Sequence, residues 1–129
     1  MKDCEGRDRL LADEMRTHLR VIATIAQPGK ARFTGPEGEE SRYAASQAVE
    51  LLGEAAEKIS GPFEKANPKI PWKSLRPLRK RVAHPYDVEA EPVNVDELWV
   101  FMVRDAPRIE RSLLRPTFPD VGDGGNSPE

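Results

Sequence analysis

Twelve prolines divide this chain, and between them apolar residues recur at three- and four-residue intervals, the period of an α-helix seen from one side. From roughly Arg7 to Gln27, Leu11, Met15, Leu19 or His18, Ile22 and Ile25 keep that spacing until Pro28-Gly29 stops it. Residues 28–40 read as a Gly/Pro-rich connection holding Gly35-Pro36 and the acidic run Glu37, Glu39 and Glu40. A second helix is predicted from about Ser41 to Ile59, on Ala48, Leu52, Ala55 and Ile59, with Ser60-Gly61-Pro62 as its stop. Residues 61–73 carry prolines at 62, 68 and 71 and form an irregular connector with room for one helical turn.

A third helix, about Ser74 to Ala83, tolerates Pro77 in its first turn, where a missing N–H has no partner to lose. Pro85 disfavours helical backbone at His84 and ends it. Asn94 as N-cap, with Glu97 three residues on, opens a fourth helix carrying Leu98, Met102, Ile109 and Leu113 to about Leu114. A kink is expected near Pro107. No stretch alternates as a strand would, so the expected class is all-α, an up-and-down antiparallel four-helix bundle. Residues 1–115 make the helical domain, and residues 116–129, which lack periodicity, a disordered C-terminal tail.

Composition narrows the functional classes. At 129 residues the chain suits one domain. Only 38% of residues are hydrophobic and 33% are charged, so a single copy buries little of its surface and a homodimer is expected. Twenty Lys and Arg against twenty-two Asp and Glu give a net charge of −2, so any RNA contact must come from a local patch. Cys4 has no internal disulfide partner, and one cysteine with two histidines is a poor zinc set, so neither metal nor other cofactor is expected. Charges at Lys2, Asp3, Glu5, Arg7, Asp8 and Arg9 do not suit a signal peptide. The longest uncharged run, Val21 to Gly29, is too short to span a bilayer. A cytoplasmic protein with no membrane association is the expectation.

Four cations, a histidine and a tyrosine lie within Arg76-Pro77-Leu78-Arg79-Lys80-Arg81-Val82-Ala83-His84-Pro85-Tyr86. Leu75, Leu78 and Val82 define the apolar stripe of this helix, and Arg79 falls beside them. A permanent charge there needs a carboxylate, an interface or a bound anion. His84 follows five positions on, about 140° further round an ideal helix, so the two converge only if the helix unwinds at Pro85 or a second subunit completes the site. Lys80 and Arg81 are the better same-face neighbours of His84. RNA cleavage uses this set: an imidazole moves protons near neutral pH, and a guanidinium grips and stabilises a phosphate. Lys80, Arg81 and Arg76 are the further phosphate-binding candidates.

Arg79, four residues, His84, one residue and Tyr86 match the R-x4-H-x-Y motif, and the chain resembles the HepT-like toxins of the HEPN superfamily. Arg7-Asp8, Leu51-Leu52-Gly53-Glu54-Ala55-Ala56, Ile70-Pro71-Trp72 and the segment Asn94 to Leu114 resemble that family in the same order. The resemblance implies a dimeric helical bundle whose two motifs face each other, acting as a metal-independent ribonuclease. It also implies a minimal nucleotidyltransferase antitoxin that adenylylates the motif tyrosine, here Tyr86. One position departs: Lys80 stands where the family usually has asparagine or another small polar residue, which either adds phosphate affinity or marks altered activity. Glu54 is read either as a solvated carboxylate paired with Lys58 or as a partner for Arg79 at the cleft or interface. Gly53 costs about 1 kcal/mol in a helix relative to alanine, which close helix approach would explain.

The reading is a ribonuclease toxin with catalytic Arg79 and His84. The alternative is a non-catalytic helical partner or nucleotide-binding subunit of a nucleotidyltransferase, in which Arg79 and His84 only grip phosphate. In a third, a purely structural dimer, neither residue affects anything but stability.

Overall fold

The structure is a computed structural model and describes residues 2–83 and 94–119. His84, Pro85 and Tyr86 therefore lie outside the described residues, as does the chain from Asp120 onward. The described part is all-α, as the periodicity requires. Helix α1 spans Lys2–Ala26, α3 Glu39–Lys58 and α5 Trp72–Ala83. Short helices α2 (Lys30–Thr34) and α4 (Gly61–Ala66) lie between them. The fourth principal segment is α6 (Val95–Val100), a π-helical turn over Phe101–Asp105, and α7 (Ala106–Leu114). Helix α3 packs against both α1 and α5, and α7 lies along α1.

The predicted stripes are the buried ones. Leu11, Met15, Leu19 and Ile22 of α1, Ala48, Leu52 and Ala55 of α3 with Ile59 after it, Leu75 and Leu78 of α5, and Leu98, Met102, Ile109 and Leu113 form one core. Helix α3 contributes mostly small residues, among them Ala45, Ala48, Ala55 and Ala56, and so can lie close to neighbours on two sides. His18 is displaced from the core by Leu19; its Nε2 lies 3.7 Å from Glu14.

Four places in the chain add to or correct that reading. The Gly/Pro-rich connection at 28–40 holds α2 and a 3-10 turn at Pro36–Gly38. Gly29, at φ 104°, turns the chain out of α1 in a conformation that favours glycine. Phe33 is then buried against Trp99, ring centroids 5.5 Å apart. The Arg42 guanidinium donates to the carbonyls of Phe33 and Gly35, each at 2.8 Å. A buried aromatic anchor outweighs the Gly/Pro composition.

Second, Pro77 is the sixth residue of α5, past the first turn. It leaves the Lys73 carbonyl without its helical donor, at a typical cost of about 3 kcal/mol. Pro77 and Lys73 are both exposed, where water replaces that donor. Burying Leu75 and Leu78 returns about 1.5–3 kcal/mol each, so packing wins.

Third, the irregularity expected near Pro107 takes the form of a widened turn just before it. Ala106 N–H donates to the Phe101 carbonyl, a five-residue step, just before the proline ring would meet the preceding turn. Upstream, the capping expectation holds: Asn94 Oδ1 accepts from the Glu97 N–H at 2.7 Å.

Fourth, residues 116–119 are tied to the bundle. The Asn67 side chain donates to Thr117 O (2.7 Å) and accepts from Thr117 N–H (2.8 Å). Phe118 packs on Phe63 with centroids 5.4 Å apart, and the Arg9 guanidinium lies 3.9 Å above its ring. An aromatic residue followed by proline gave no periodic signal, yet it closes one end of the core.

Candidate active site

Helix α5 is set in place at its start. Trp72 is buried edge-on to Phe63, and its Nε1–H donates to the Asn67 carbonyl at 3.0 Å. The buried Asp8 carboxylate holds the element before it. Ser60 donates to Asp8 through its N–H (3.0 Å) and its hydroxyl (2.6 Å), while Ser60 Oγ accepts from Phe63 N–H and caps α4. Asp8 and Asn67 thus fix α4 and the lead-in to α5, a role that Asn67 did not show in the sequence.

The crossing of α3 and α5 positions Arg79. A Cβ built on Gly53 would stand 2.9 Å from Arg79 N, 3.1 Å from Leu75 O and 3.2 Å from Arg79 Cβ. The base of Arg79 therefore fills the crossing, which is why this residue falls in the apolar stripe. Its head does not stay there. The side chain is 42% exposed and reaches Glu57 at 3.8 Å, in the manner of a long cationic residue that buries its stem and keeps its charge in water. Glu54 lies 3.8 Å from Lys58. Glu57 was the partner that sequence reasoning missed. The signal was available: it lies four residues after Gly53, one turn along the face that meets α5.

The other predicted phosphate ligands diverge. Arg76 donates to Glu64 of α4 at 2.5 Å with both side chains about one-third exposed. Arg81 holds Glu97 of α6 at 2.8 Å to Oε2 and 2.9 Å to Oε1. Lys80 is exposed in the turn after Arg79. At 100° per residue, Arg76, Arg79 and Lys80 share about one 100° sector of α5, and Arg81 points a further 100° away toward α6. Arg79, half-exposed and loosely paired, is thus well placed to take an anion, whereas Arg76 and Arg81 brace α5 to its neighbours. The Arg79–Glu57 pair is a loose surface contact worth about 0–1 kcal/mol, so a phosphate able to accept two guanidinium hydrogen bonds displaces it readily.

Among the described residues no three His, Cys, Asp or Glu side chains cluster as metal ligands. No described helix is long and apolar enough to cross a membrane.

A small all-α bundle whose penultimate principal helix carries an arginine to an exposed end defines a class of helical domain. The family described as Ribonuclease HepT-like matches residues 15–115. The chain belongs to the HepT-like ribonuclease family. The match takes in Gly53-Glu54, Ile70-Pro71-Trp72, the motif from Arg79 to Tyr86 and the segment Asn94–Leu114, but begins after Arg7-Asp8. Among curated proteins, "Putative RNase MJ1380" of Methanocaldococcus jannaschii is 32% identical over 72 residues, 56% of this chain and 62% of that protein. "Probable ribonuclease HepT" of Thermococcus cleftensis is 29% identical over 72 residues, again 56% and 62% of the two chains. "Putative RNase TTE0752" of Caldanaerobacter subterraneus is 25% identical over 67 residues, 52% and 56%. The aligned region spans less than two thirds of each of these relatives. No solved structure matches.

Proposed function

We propose that this protein is a metal-independent ribonuclease acting as the toxin of a two-component toxin–antitoxin pair. The observation that carries the reading is the sequence motif Arg79, His84 and Tyr86, whose arginine stands on α5, in a chain of the HepT-like ribonuclease family. Arg79, held half-exposed at the α3–α5 crossing, moves from Glu57 to the scissile phosphate and stabilises the charge that builds on its oxygens. His84 acts as general base toward the 2′-hydroxyl or as general acid toward the departing 5′-oxygen. The 2′-oxygen forms a bond to phosphorus, the bond from phosphorus to the 5′-oxygen breaks, and the leaving oxygen takes up a proton. The ends produced are a 2′,3′-cyclic phosphate and a 5′-hydroxyl. A homodimer brings two such motifs together.

RNA incubated with the purified protein in EDTA tests this. Cleavage with 2′,3′-cyclic phosphate ends is the expected result, and strict dependence on magnesium or 3′-hydroxyl ends points to different chemistry.

The second part of the proposal is control by a nucleotidyltransferase antitoxin that adenylylates Tyr86. An attached AMP adds a phosphodiester anion close in sequence to Arg79, Lys80 and Arg81 and a purine that competes with RNA for space. Tyr86→Phe is expected to keep cleavage and to escape neutralisation by the cognate nucleotidyltransferase and ATP. Mass spectrometry locates the added AMP; its appearance on Tyr43, the other tyrosine, sinks the assignment.

A further inference from the structure

A second cationic site lies outside the motif. Lys69, Arg108, Arg111 and Arg115 line a groove of about 640 Å³ between the residues that follow α4 and the outer face of α7, with Asn67 and Ser112 among its other walls. Among the described residues no carboxylate lines it. All four cations are exposed, and among the described residues none of them takes part in an ion pair or a side-chain hydrogen bond. Arg16, Arg42, Arg76 and Arg81, by contrast, each hold a carbonyl or a carboxylate. In a chain of net charge −2, four cations around one groove with no carboxylate among its described lining are a local concentration, not a by-product of a basic protein.

Cations near a helix C-terminus also complement the helix dipole, which accounts in part for Arg111 and Arg115. That effect does not explain Lys69, which comes from a different element and faces the same space. Arg108 and Arg111 lie within about 60° of one another around α7, and Arg115 follows directly after its last residue, so the cations extend further than a single phosphate needs. The wall opposite is rigid: Asn67 is only 8% exposed, and its side chain is bonded to Phe63 O and to both backbone groups of Thr117.

We infer that this groove binds the phosphate backbone of single-stranded RNA and holds the substrate at a distance from the Arg79 motif. The inference rests on the ribonuclease reading for its choice of polyanion. Asn67 anchors Trp72 at the first residue of α5, and Arg79 lies seven residues, about 10 Å, further along that helix. The groove supplies affinity without taking part in the chemistry.

The test uses a fluorescent 2′-O-methyl oligoribonucleotide, which lacks the nucleophile and stays intact whether or not the protein cleaves RNA. Its binding is followed by anisotropy across a salt series. The triple variant Arg108→Gln/Arg111→Gln/Arg115→Gln is expected to bind at least tenfold more weakly. Its slope of log affinity against log salt should fall by about 2, from three contacts at about 0.7 each for single strands. Lys69→Gln alone should lower the slope by about 0.7 and guards against misfolding of the triple variant. On long RNA the variants should raise KM and keep kcat; on a dinucleotide they should change neither. Unchanged affinity and slope overturn the inference, as does loss of binding to polyglutamate or anionic vesicles with RNA binding intact. The two readings fail separately: wild type that binds the oligonucleotide through the groove but cuts nothing removes only the nuclease, and cleavage with groove-independent binding removes only the groove.

Discussion

His84→Ala is expected to slow RNA cleavage by about 10²–10⁴-fold, the usual contribution of a positioned general acid or base. Arg79→Ala should cost a similar amount, about 10²–10³-fold, since a preorganised donor at the developing phosphorane charge is worth several kcal/mol. Neither loss should follow from unfolding. The Arg79–Glu57 contact contributes only about 0–1 kcal/mol, so removing the guanidinium leaves the helical circular dichroism and most of the stability in place. Glu57→Gln supplies the converse. It releases Arg79 from its resting partner and should leave kcat intact or raise affinity for RNA. Single-turnover cleavage in EDTA measures all three. Wild-type rates from His84→Ala would falsify the acid–base assignment and favour a partner protein that only grips phosphate.

The second large effect is expected at Gly53. Replacing it with alanine gains about 1 kcal/mol of helix propensity. The added Cβ would lie 2.9 Å from Arg79 N and 3.1 Å from Leu75 O, and backbone atoms cannot swing aside as a flexible side chain does. Overpacking of this kind costs about 1–3 kcal/mol, so Gly53→Ala should be neutral to about 2 kcal/mol less stable, and Gly53→Val worse. Urea unfolding should show a lower midpoint with an unchanged slope. Because the helix forced outward is the one carrying Arg79, cleavage should fall even in molecules that remain folded. A Gly53→Ala protein more stable than wild type would mean that the two helices can separate at little cost.

How much of this was legible in the sequence differs from residue to residue. The stripe Ala48, Leu52, Ala55 and Ile59, and the cap of Asn94 on Glu97, follow from helix geometry within a few residues, and both are found as expected. Gly53 signalled a close approach without saying to what. The Arg79 to Tyr86 spacing pointed to the family, and the match over residues 15–115 shows that membership. Pro77 misled because its penalty is local, while the burial of Leu75 and Leu78 that overrides it depends on α3. Phe33 and Phe118 sit in stretches without periodicity, and their anchoring depends on partners 66 and 55 residues away in the chain, Trp99 and Phe63.

The sequence by itself determined the four principal helical segments and their solvent-facing and core-facing sides, and its ordered motifs carried the resemblance to the family. The helical sides are properties of nearest turns, where spacing fixes which side chains meet. Tertiary structure decided which carboxylate each of the three arginines of α5 faces: Glu64 for Arg76, Glu57 for Arg79 and Glu97 for Arg81. It also decided that Lys69 joins Arg108 and Arg111 of α7, and Arg115 just after it, around one groove. Charge partners of this kind are chosen by where helices cross, and the crossings are set by how small residues such as Gly53 let one backbone approach another.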